Sequence, residues 1–277
     1  MDLEKRSNYK LFYQTKEPAM ISAKPTEKLT GITLEGDYDD FHEIVDSIHR
    51  MSGLEEDICD EYYAVKNMLL SVCYEIRHAF MGYRDVKKVD NGVHDEMVKW
   101  HSMKMPKTEV HFSVNLLFPE AVFVALSSSE LYVRARRDYG IRAKRNEETE
   151  MLPAFSYADY IRDKAVIDKL SVTIFGALAE VIGDEELEKL MKWKENCYTF
   201  LFWDYAEQYV YKCNIEYLKT AVEKRKDKIR NIAKRFFKQP DSYKRLKQDL
   251  EYSAKVYHCS VHELEDPKLE YPEEIEW

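Results

Sequence analysis

The stretch Cys59 to Gly92, CDEYYAVKNMLLSVCYEIRHAFMGYRDVKKVDNG, constrains the fold most, because it joins the clearest helical period in the chain to its most polar constellation. Beyond Tyr62, the residues Val65, Leu69, Val72, Cys73, Ile76, Ala79 and Phe80 recur at steps of three and four, which puts them on one helical face. That face demands burial. The helix is expected to stop near Gly82, Tyr83 to Val89 reads as a short strand, and Asp90-Asn91-Gly92 turns the chain. Arg77 and His78 stand off the apolar stripe in the last turn, where the helix dipole favours positive charge. With Arg84 they compose a candidate anion or phosphate site, since a guanidinium fork matches phosphate oxygens, and Arg77 and His78 are the candidate catalytic pair. The plainer reading is a charge cap inside a hydrogen-bond network, because structural ion-pair networks outnumber active sites.

Around this stretch the pattern predicts a small sheet. Met20 to Ala23 and Gly31 to Leu34 are β-compatible runs on either side of a Lys24-Pro25-Thr26-Glu27 turn, and Glu109 to Leu117 alternates as a half-buried strand. Tyr9, Leu11 and Tyr13 alternate as an edge strand would within a lead-in that ends at Pro18. Phe41, Ile44, Val45, Ile48 and Met51 mark a helix ending at Gly53, and Pro119 opens another through Val133. Asp37, Asp39 and Asp40, followed by His42 and Glu43, form the densest acid cluster. A hard divalent cation would take such oxygens, but an N-cap with its dipole-favoured acids employs every one of them, so no metal is assigned. His94 and His101 share a helical face in a segment that reads as a short helix or lid, with no further metal ligands to join them.

A charge run, Gly140 and Pro153 coincide with loss of periodicity over residues 138–153, which divides the chain into an α+β unit, 1–145, and a helical unit, 146–277, with an acidic tail. The fold class is α+β and predominantly helical: a small antiparallel sheet packed with helices, then a helical, bundle-like second half. Helices are expected over Tyr157 to Ile182 with Gly183 as the cap, over the aromatic-rich run Leu187 to Leu218, over Leu218 to Phe237, and over Ser242 to Tyr257 with Asp241 as cap. The tail is expected to be an extended strap whose Ile275 and Trp277 dock on the body.

Net charge is −9 but unevenly placed: Lys219 to Gln248 holds twelve Lys or Arg against three acids, and Asp249 to Trp277 holds nine acids against two lysines. The basic helix 219–247, through Lys224, Arg225, Lys228 and Arg235, is therefore a candidate nucleic-acid face, or simply the complement of the acidic tail. Five cysteines without paired short spacings imply neither a disulfide framework nor a zinc ribbon, and a reducing cytoplasm fits them. No run approaches the roughly eighteen apolar residues a membrane span needs.

Two stretches, GITLEGDYDDFHEIVDSIHRM (Gly31 to Met51) and VCYEIRHAFMGYRDVKKVDNG (Val72 to Gly92), resemble an uncharacterised bacterial family described only as a domain of unknown function, over the first half of the chain. The resemblance implies helices on a small sheet and carries over no activity to any residue. Phosphate-loop, dinucleotide-glycine, nucleophile-elbow and HExxH motifs are missing, and no cofactor is indicated. The leading expectation is a non-catalytic binding or adaptor module for a protein partner, with nucleic acid as a variant. The alternative is a metal-dependent enzyme on a phosphate-containing substrate.

Overall fold

The computed structural model describes residues 21–52, 62–101, 105–132, 135–136, 139, 156–196, 205–238, 240–264, 266 and 269–277. The alternating lead-in, the Gly53 stop, most of the expected boundary at 138–153 and the aromatic residues 197–204 lie outside them.

Strands β1 (Ser22–Pro25) and β2 (Gly31–Gly36) form a hairpin. Its turn is closed by Thr26, whose backbone N–H donates to the Gly31 carbonyl at 2.9 Å and whose hydroxyl accepts from Gly31 N–H at 3.0 Å. Among the described residues, strands β3 (Asp85–Asp90) and β4 (Thr108–Leu117) extend an antiparallel sheet of order β1-β2-β4-β3, with β1 and β3 as its edges. Opposite pairing of Ile32 with Leu116 and of Leu34 with Val114 sets an apolar face toward the helices. Thr33, Glu35, His111, Ser113 and Asn115 occupy the other face. There the Thr33 hydroxyl donates to Asn115 Oδ1 at 2.7 Å, and both His111 nitrogens lie near carboxylates.

Helix α1 (Tyr38–Ser52) starts where Asp37 Oδ1 accepts the Asp40 N–H at 2.8 Å, the N-cap its acidic start foretold. Helix α2 (Tyr63–His78) buries Val65, Leu69, Val72, Cys73 and Ile76, and then widens into a π turn, Ala79–Tyr83. Gly82 sits in that turn at φ 85, a conformation open to glycine without Cβ strain. A short α3 (Asp95–His101) follows β3.

The centre of the molecule is α4 (Phe118–Ser127), not α2. Every α4 residue except Glu120 is buried, and the helix packs on β2, β4, α2 and helices of the second half. A helix apolar on all sides has no solvent face to offer, which fits it for the middle of a core. Helices α5 (Tyr157–Ile182), α6 (Asp184–Glu195), α7 (Ala206–Leu218), α8 (Val222–Arg235) and α9 (Asp241–Tyr257) surround it. Ser156 and Asp159 form a capping box at the start of α5, and Gly183 at φ 91 ends it. Pro240, rather than Asp241, occupies the N-cap of α9.

One continuous hydrophobic cluster runs from Ile21 to Leu250 and joins residues from both sides of residue 145. Polar ties cross the same divide. Asp163 on α5, fully buried, accepts from Arg50 Nε (2.8 Å) and Nη2 (2.6 Å), from Ser47 Oγ (3.1 Å) and from Tyr139 OH (2.7 Å). The tail returns to the hairpin. Lys28 Nζ lies 2.6 Å from Glu276, the Thr30 hydroxyl donates to the Glu276 carbonyl, and the Trp277 ring packs where a Gly31 side chain would stand. Cys73, Cys213 and Cys259 are free thiols.

Candidate functional site

The structure brings Arg77, His78 and Arg84 to one surface, but as members of an aromatic ridge. The His78 ring lies 4.1 Å from Tyr74 and 5.4 Å from Tyr83, and the Arg77 guanidinium sits 5.7 Å over Tyr74. Arg84 turns away to Glu75, with Nη2 at 2.8 Å and Nε at 3.2 Å from Oε2, so its fork is already filled by a carboxylate. A second ring cluster involves the π turn: Phe80 packs edge-on against Tyr38 at 5.4 Å, and Tyr38 stacks on His42 at 5.5 Å. Tyr38, Tyr74, Met81 and Tyr83 are 49–66% exposed, which is costly for large apolar side chains.

His42 belongs to this second cluster and also lines a cleft. The cleft, open and about 490 Å³, is lined by Asp37, Asp39, Asp40, His42, Glu43, Asp46, Arg50 and Arg162. Its cations are partly committed, since Arg50 is bound to Asp163 and lies 3.6 Å from Asp46. Asp37 caps α1, and Asp40 Oδ1 accepts from Lys169 Nζ at 3.1 Å. Among the described residues no group of three or more His, Cys, Asp or Glu is placed to hold a metal ion. No hydrogen bond, ion pair or ring contact joins Arg77, His78 or Arg84 to Asp37, Asp39 or Asp40, so the two halves of the phosphate-enzyme constellation do not meet among the described contacts.

The basic helix is not one exposed face. Arg225 is buried, donating to the carbonyls of Thr220 (3.1 Å) and Lys28 (2.6 Å) and to the Thr30 hydroxyl (2.6 Å), so it fastens α8 to the β1-β2 turn. Lys228 and Arg235 converge on Glu216 at 3.0 and 2.8 Å. Burial opposes ionisation of Glu216, and the two cations outweigh it and hold the carboxyl below its ordinary range. Of the four expected contacts only Lys224 is exposed. Arg225, Lys228 and Arg235 are thus engaged in contacts within the fold.

Sequence reasoning missed Tyr38 and Tyr74 as surface aromatics, and it placed Phe80 on the apolar stripe and Tyr83 at the start of a strand; Tyr74, a large aromatic on the solvent side of an amphipathic helix, was the available signal. It also missed Glu120. The Glu120 Oε1 accepts the Ser71 hydroxyl at 3.1 Å, burial pushes its pKa up to about 7, the Ser71 bond opposes this, and the charge of Glu75 adds to it. Beside it, Tyr211 OH and Asn67 donate to Glu207, each at 3.3 Å, and Asn214 donates to Tyr271 OH of the tail at 3.0 Å. Among the described residues no helix is long and apolar enough to cross a membrane.

Residues 21–277 match a family model described as a domain of unknown function (DUF6904). The match runs through both halves, so the resemblance noted for the first half extends over nearly the whole chain. No curated protein and no solved structure matches.

Proposed function

The chain belongs to the DUF6904 family, and we propose that it is a non-catalytic binding module whose partner is a protein segment with basic residues set beside apolar anchors. One observation carries this reading: the Tyr38, His42 and Phe80 rings pack on one another, and His42 also lines a cleft with five carboxylates against two guanidiniums. Aromatic faces supply contact area and attract cations, and the carboxylates supply the complementary charge. Arg77 and His78 then act as ridge residues, stacking on Tyr74, rather than as acid and base. Asp39 and Glu43, exposed at the cleft, supply partner contacts rather than metal ligands.

The test uses two labelled peptides, one alternating Arg and Leu and the other alternating Glu and Leu, titrated against the full chain by fluorescence anisotropy. The basic peptide is expected to bind with salt-sensitive affinity. Tyr38→Ser with Tyr74→Ser, and Asp39→Asn with Glu43→Gln, each weaken it about tenfold, about 1.4 kcal/mol. Equal binding of the acidic peptide, or affinity unchanged in both double variants, would refute the reading.

A further inference from the structure

Among the described residues the strand β3, Asp85-Val86-Lys87-Lys88-Val89-Asp90, pairs with β4 on one side only, and every residue but Val89 is exposed. Val86 and Lys88 share the helix-side face with Phe112 and Val110, whereas Asp85, Lys87 and Val89 share the other with Ser113, His111 and Glu109. Lysines on an edge ordinarily guard it against another strand. Here their spacing from the aspartates does something more selective.

A two-fold axis that pairs this edge with itself antiparallel must keep each face on its own side, so odd residues meet odd and even meet even. An axis through Lys87 or Lys88 sets like charges directly opposite, which is destabilising. An axis through Val86 instead places Asp85 opposite Lys87 of the second copy, twice over by symmetry, with valine against valine between them. An axis through Val89 gives the Lys88–Asp90 equivalent. The Val86 axis buries more, since Val86 is 52% exposed while Val89 is half-buried. Its unfavourable meeting, Arg84 opposite Lys88, also occurs twice by symmetry; Arg84 is paired with Glu75 within its own copy, as Lys87 is with Glu35.

We infer that β3 is a homodimer interface, in which two copies of this chain join antiparallel edges about a two-fold axis at Val86 to make one continuous sheet of order β1-β2-β4-β3-β3-β4-β2-β1. The inference stands on the charge pattern and exposure of β3 and does not depend on what binds the acidic cleft. It explains why an open edge is flanked by exposed Val86, Met81 and Tyr83, which a solitary subunit would leave in water.

The experiment is sedimentation equilibrium of the full chain and of charge variants, with circular dichroism to establish that each is folded. The wild-type chain is expected at twice its 33.0 kDa mass. Asp85→Lys or Lys87→Asp alone raises the dimer Kd roughly tenfold or more, and the two together restore it. Lys87 also pairs with Glu35, so Asp85→Lys, at an exposed residue, is the variant least exposed to folding defects. A wild-type monomer at high micromolar concentration overturns the proposal. So does a dimer indifferent to both single changes, or one broken instead by Lys88→Asp and rescued by adding Asp90→Lys.

Discussion

Replacing Glu120 by Gln should stabilise the protein, and only as the pH rises. Glu120 is the single residue of α4 not fully buried, and burial moves its carboxyl from 4.5 to about 7. A raised carboxyl pKa means that the folded state holds the proton more tightly than the unfolded chain. The neutral form's advantage is therefore complete below the unfolded pKa and is lost as pH climbs through the folded one. At about 1.4 kcal/mol per tenfold in proton affinity, the full gap corresponds to about 3 kcal/mol, and partial access of water brings it toward roughly 1–3 kcal/mol. Glutamine keeps the shape and the acceptor for Ser71 and carries no charge against Glu75. Urea denaturation of both proteins from about pH 5 to about pH 8 should show the variant's advantage growing by that amount. Thermal melts should separate by several degrees at the alkaline end. A difference independent of pH would refute the assignment of Glu120 as a desolvated, titrating carboxyl.

Three further outcomes follow from the packing. Arg225→Met should cost about 2–4 kcal/mol in denaturant unfolding, because it strands the Lys28 and Thr220 carbonyls and frees the hairpin from α8; a cost under about 0.5 kcal/mol would contradict that fastening role. Asp163→Ala should cost about 3–5 kcal/mol, since Ser47, Arg50 and Tyr139 all lose their acceptor, and unchanged stability would contradict the cross-core tie. Gly31→Ala should fail to give a cooperative thermal transition, because its Cβ would stand 1.9 Å from the Leu116 carbonyl oxygen in the paired strand; a wild-type melt would contradict the close approach.

Local pattern carried much of the architecture. The stripe from Val65 to Ile76, the alternation through β4, Pro119 in the first turn of α4 and Gly183 after α5 each encode their element by residue spacing alone, and each stands where expected. The hub escaped notice because α4 is apolar all round, and such a run offers no face whose periodicity would mark its direction in a core. Long-range polar ties were illegible for a related reason. Nothing in the neighbourhood of Arg225 announces that its partners lie in a turn almost two hundred residues earlier, so its charge reads as solvent-facing. The expected strap fared better, since an apolar end on an acidic tail has few places to go: Trp277 covers Gly31.

The most direct measurement is an amide NMR footprint of the Arg/Leu peptide on the full chain. Resonances of Tyr38, His42, Glu43, Tyr74 and His78 are expected to shift together and saturably, with those of α8 unmoved. Shifts confined to Lys224 and its neighbours, or the absence of any saturable set around the ridge and cleft, would contradict that expectation.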